Sequence, residues 1–144
     1  MINYTEVLNL ISQLDAETRE IGPPAEVTVW FDLDSYTVLL YSDQNTLRLH
    51  YVSSFFPNEW LEGDTGTLIN HFVDTLNATY GETVWFVDRE PSDDDGCLLI
   101  CTKTWHSSCA SQAIVDDFQK LMYMINATAQ DVIKLSFELM EIMG

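Results

Sequence analysis

Val7, Leu8, Leu10, Ile11 and Leu14 fall on one helical stripe, which predicts a first helix within residues 3–19. Gly22-Pro23-Pro24 then block any continuation. From Glu26 the period changes to two: Val27, Val29, Phe31 and Leu33 alternate with Thr28, Trp30 and Asp32, the mark of a strand with one buried face. Asp34-Ser35 reads as a tight turn, residues 36–41 as a second strand, Asp43-Gln44-Asn45 as a turn and residues 47–52 as a third strand. Residues 53–66 connect to a second helix whose stripe is Leu68, Ile69, Phe72, Val73 and Leu76, with Phe72 in the core. Asp64 or Thr65 is the expected N-cap, and Gly81 is the expected left-handed residue after the helix.

Two apolar runs at about 83–88 and 97–105 flank Ser92-Asp93-Asp94-Asp95-Gly96 and predict a hairpin. A third helical region begins near Ser107 or Ser108, carrying Ala110, Ile114, Phe118, Leu121, Met122 and Ile125 on one stripe. Asn126-Ala127-Thr128 is a candidate interruption, since Thr128 and Asp131 have capping-box spacing. Beyond it Val132, Ile133, Phe137, Leu139, Met140 and Met143 spread over two helical faces, so one face needs a partner beyond the parent sheet. The order α-β-β-β-α-β-β-α predicts an α+β fold, an antiparallel five-stranded sheet with helices on one face, in a single domain spanning 1–144.

Charge changes the picture most. Twenty-three acidic residues against six basic ones give a formal net charge of −17, which disfavours nucleic acid and anionic membrane as partners because both would be repelled. Residues 1–6 contain no basic segment leading into an apolar one, and no apolar run approaches a membrane span, so the expectation is a soluble, cytoplasmic chain. Three cysteines, an odd number, suit a reducing compartment. Asn3, Asn77 and Asn126 each open an N-x-Thr sequon and read as ordinary polar positions near helix ends.

The candidates for chemistry are weak. Counted around Gly96, the acidic loop lacks the alternating acids and final Glu of a calcium loop, so it reads as a hairpin tip. Cys101, His106 and Cys109 could offer three zinc ligands, with Cys97 as a fourth on the same strand face as Cys101. Cys109 near a helix start, beside His106, is the one candidate nucleophile. His50 and His71 have no partner at metal or triad spacing, and no hydrolase, phosphate-loop, dinucleotide or zincin motif occurs. The expectation is a non-enzyme with no catalytic residue, metal or cofactor.

What remains is surface. Trp30 and Trp85 lie between the strand positions assigned to the core; with Trp105 and Met140 they are the expected partner-binding residues. The methionines at 122, 124, 140 and 143 suit an adaptable interface as well as a core.

The chain order, and "NATYGETVWFVDREPSDDDGCLLICTKTW" followed by "SQAIVDDFQKLMYMI", resemble the YbjN family and the secretion-chaperone-like fold it shares with type III secretion chaperones. The resemblance implies a small acidic bacterial homodimer. Its sheet and first helix would cradle a segment of another protein, in a chaperone-like or regulatory role. An acidic immunity protein neutralising a basic enzyme is the competing reading of the same charge; a thiol or zinc enzyme is a third.

Overall fold

Asn3 begins the first helix by accepting a hydrogen bond from the Glu6 N–H, 3.1 Å, through its side-chain oxygen. In the structure, a computed structural model, the described residues are 2–14, 16–20, 24–31, 34–43, 45–88, 96–106 and 108–143, without the side chains of 17, 19, 20, 54 and 55. Helix α1 spans Tyr4–Ser12 and buries Val7, Leu8 and Ile11. It is shorter than its sequence pattern suggested. The chain turns through Leu14 and becomes strand β1, Ala16–Glu20, paired antiparallel with β2, Ala25–Phe31. A ladder of five residue pairs satisfies this backbone, so the sheet has six strands where five were expected.

Strand β3 spans Asp34–Ser42, β4 Thr46–Pro57, β5 Val84–Asp88 and β6 Gly96–His106; the antiparallel sheet runs β1-β2-β3-β4-β6-β5. Asp34 and Ser35 are not turn residues, because they pair with Phe31 and Trp30 and extend the β2–β3 ladder. Helix α2 covers Gly63–Thr79 and α3 Ser111–Met143. The fold class is α+β.

Local details depart from the pattern for physical reasons. Glu62 holds the N-cap position of α2 without a side-chain bond, while the Thr65 hydroxyl donates to the Glu62 carbonyl at 3.0 Å. Two glycines make this entry possible. Gly63 has φ +64°, where side chains are strained, and a Cβ on Gly66 would collide with the Leu61 carbonyl. Gly81 does not take the left-handed role expected of it; Tyr80 ends the helix, its N–H donating to the Leu76 carbonyl. Phe72 is only half-buried, since Ile69 and Leu76 hold the inward positions. Helix α3 runs unbroken through Asn126, for Thr128 is buried instead of capping, and Ile125 and Val132 are buried before and after it. The modest helix propensities of Asn and Thr do not outweigh that burial.

The chain's contacts group into two compact units, one of residues Met1–Tyr51 and Lys103–Ala127, the other of Val52–Thr102 and Thr128–Gly144. The buried apolar residues of the first include Ile11, Val27, Val38, Leu40, Ile114, Phe118 and Met122. Those of the second include Phe56, Ile69, Trp85, Leu99, Leu135 and Leu139.

Candidate functional site

The cysteines do not converge on chemistry. Cys97 is buried and donates its thiol to the Phe56 carbonyl at 3.4 Å. Burial pushes the Cys101 thiol up to about 12, partly offset by a side-chain hydrogen bond from Thr83, so it stays protonated and a poor nucleophile near neutral pH. Cys109 sits half-buried in the turn before α3, where its N–H donates to the His106 carbonyl at 3.0 Å. Among the described residues no three His, Cys, Asp or Glu side chains are grouped to hold a metal. The acidic loop, residues 92–95, lies outside the described residues. His71 is exposed on α2, and His50 is half-buried with its ring edge-on to Tyr41 at 6.1 Å.

The four tryptophans divide sharply. Trp85 is 2% exposed, which corrects its expected outward placement. Its cross-strand neighbour Cys101 faces the interior, and both backbone groups of Trp85 are held by one side chain: the Trp85 N–H donates to Asn77 Oδ1 at 2.8 Å and Asn77 Nδ2 donates to the Trp85 carbonyl at 2.9 Å. The indole Nε1 of Trp85 is itself buried without a hydrogen-bond partner, a cost of about 1–3 kcal/mol that the ring's burial must exceed. Trp105 is also buried rather than partner-facing; it shares strand parity with Cys97 and Cys101, and its indole donates to Asp117 Oδ2 at 3.3 Å. Trp60 is half-buried and tilted against Phe56, with ring centres 6.2 Å apart. Trp30 is 55% exposed, and Met140, on α3, is exposed as well.

Trp30 borders a small concavity in the first unit, a groove of about 160 Å³. Leu14, Val29 and Phe31 line it on one side; Phe118, Gln119, Met122 and Tyr123 line it on the other. Phe118 and Met122 are buried and form an apolar floor, whereas Trp30 and Tyr123 are exposed rims. Phe31 meets Tyr123 edge-on at 5.3 Å and Tyr36 at 6.0 Å, and Tyr36 meets Tyr51 at 6.4 Å, so the rim is braced by a chain of rings. Burial, and then the charge of Asp34, raise the Tyr36 pKa, so its phenol remains neutral. Asp116 and Lys120 stand beside Tyr123. A cofactor or drug-sized ligand needs roughly 300 Å³ or more, which exceeds the volume of this groove.

Sequence reasoning found Trp30 but missed Tyr123, which falls between the stripe positions 122 and 125 and looks like an ordinary outward aromatic. Only the tertiary contact with Phe31 gives it a role.

No family model matches the sequence, and no curated protein matches it. A crystal structure of YbjN from E. coli, described as a proposed transcription regulator, is similar to this chain with a TM-score of 0.62 over 90% of this chain and 94% of that one. The fold is YbjN-like. At 10% identity the YbjN-like fold carries the arrangement of elements and no residue role. Within it, no described helix is long and apolar enough to cross a membrane.

Proposed function

We propose that this protein is a non-enzymatic adaptor that binds a segment of another protein, with Trp30 gripping a large apolar side chain in the groove. The exposed Trp30 beside a buried apolar floor carries the reading. Exposed tryptophan next to a preformed apolar pocket is the side-chain type that dominates binding hot spots. A charge of −17 selects segments with basic flanking residues, through steering and rim complementarity. The same charge makes direct DNA binding unfavourable, so a regulatory role like that proposed for YbjN would act through a protein partner.

The geometry favours side-chain capture over addition of a strand at β5. The two Asn77 bonds to the Trp85 backbone already occupy the outward positions there. A displayed library of basic peptides, each with one aromatic or long aliphatic anchor, tests the reading. Selected peptides should bind wild type at least about tenfold tighter than Trp30→Ala. Binding that survives Trp30→Ala but collapses with added salt would instead indicate an acidic inhibitor of a basic protein.

A further inference from the structure

Four of the residues that line the groove of the first unit are aromatic: Trp30, Phe31, Phe118 and Tyr123. Among the described lining residues none carries a charge, and Gln119 supplies the one side-chain amide. The face of an aromatic ring is electron-rich and attracts a cation that comes within about 6 Å of its centre. Phe31 and Tyr123 meet edge-on at 5.3 Å, which leaves at least one face of each ring free of the other. Such a lining favours positive charge but offers no carboxylate. An ammonium or guanidinium that entered it would exchange water for the side-chain oxygens of Gln119 and Tyr123, too few for its several N–H donors. A quaternary ammonium has no N–H to satisfy, so it gains the rings without that loss.

The charged residues nearby are mostly acidic. Asp34 pairs across the ladder with Phe31, and Asp116 borders the hollow that shares Gln119 and Tyr123 with the groove. Asp117 accepts the Trp105 indole. Lys120 opposes them from the same hollow, within a chain whose net charge is −17. We infer that the groove receives a quaternary ammonium, the methylated head of a trimethyllysine carried on a segment of another protein. This anchor is a particular case of the large apolar side chain proposed for the groove, and so rests on that reading. Its methylene stem is apolar, and basic neighbours in the same segment meet the chain's net charge as well, which a free small cation does not provide.

Isothermal titration of the full chain with short basic peptides tests this. The peptides are identical except at one position, which holds lysine, trimethyllysine or the uncharged carbon isostere of trimethyllysine. Titration at low salt and again at about 1 M, where the Debye length is about 3 Å, separates the groove from the general attraction of an acidic chain for cations. At high salt the trimethyllysine peptide should bind about tenfold tighter than either of the others. Trp30→Ala should remove that difference. Tyr123→Leu should diminish it, whereas Tyr123→Phe, which keeps the ring, should preserve it. An isostere or lysine peptide that binds as tightly as the trimethyllysine peptide, with Trp30 still required, overturns the cation and leaves the groove reading standing. A preference for trimethyllysine that survives Trp30→Ala overturns it too, as does a trimethyllysine peptide that fails to bind at either salt; the displayed library decides the groove reading separately. Choline alone should bind more weakly than the trimethyllysine peptide at low salt. Choline that matches the peptide would make this a small-molecule site and overturn the segment as its source.

Discussion

Trp30 in β2 and Trp85 in β5 each stand between apolar neighbours in an alternating run, yet they end in opposite environments. Trp30 is paired across the ladder with Ser35 and remains open to solvent. Trp85 is paired with Cys101, which is 1% exposed, and is buried beside it. The strands that contain the two tryptophans do not differ enough to explain this. Their partners do: Ser35 and Thr37 on β3 are exposed on Trp30's side of the ladder, whereas Cys101 and Leu99 on β6 are buried on Trp85's. Alternation along one strand reports two faces. Which face is the interior depends on the neighbouring strand.

The strongest way to break the comparison is to truncate both rings. Trp85→Ala should cost about 3–5 kcal/mol in urea denaturation, as removing a fully buried aromatic side chain leaves a cavity. A cost near zero would mean that Trp85 is not in the core.

Its cross-strand partner sharpens the contrast through pH. The Cys101 thiol stays protonated in the folded chain up to about pH 12, against 9.0 as its ordinary value. The stabilisation is therefore complete below pH 9 and is lost as pH rises toward 12, because only the unfolded chain releases the proton in that window. Each pH unit in that window removes about 1.4 kcal/mol, and Cys101→Ala should flatten this part of the profile. Urea midpoints measured from pH 8 to 11 would show it. An unchanged slope in the variant would place the alkaline loss elsewhere.

Asn77 makes the third test. Asn77→Ala leaves the Trp85 N–H and carbonyl without the two bonds that hold them, and should cost about 2 kcal/mol. It should also free the outward positions of β5 next to the exposed Val84, so the variant should form oligomers on standing more readily than wild type. Light scattering over time reads that directly.

These residues show how far the sequence was legible. The strand runs of β2 to β6 and the two longer helices were readable because each is a periodic or continuously apolar run with a punctuating Gly, Pro or Asp near its ends. Strand β1 was not. Ala16-Glu-Thr-Arg-Glu20 has no alternation of apolar and polar residues in its sequence and becomes a strand through pairing with β2. The inward phase of Trp85 was hidden because both sides of residues 83–88 are apolar, while the burial of Trp105 could have been read from its shared parity with Cys97 and Cys101. The groove was half legible. Trp30 stood out by residue type and alternation, but Tyr123 and Leu14 join it only through tertiary folding.

The smallest stability effect is expected at the residue with the largest expected functional one. Trp30→Ala removes a ring that is more than half exposed, so the urea midpoint should move by no more than about 0.5 kcal/mol equivalent. Binding of a selected basic peptide should nevertheless fall at least about tenfold, because Trp30 is among the residues that line the groove. Tyr123→Ala removes the opposite rim and should lower affinity as well. Its loss should not simply add to that of Trp30→Ala, since the two rims grip one side chain. The double variant therefore locates the binding. Losses that add fully would mean the two aromatics act at separate places, and Trp30 would then be an exposed residue with no groove to serve.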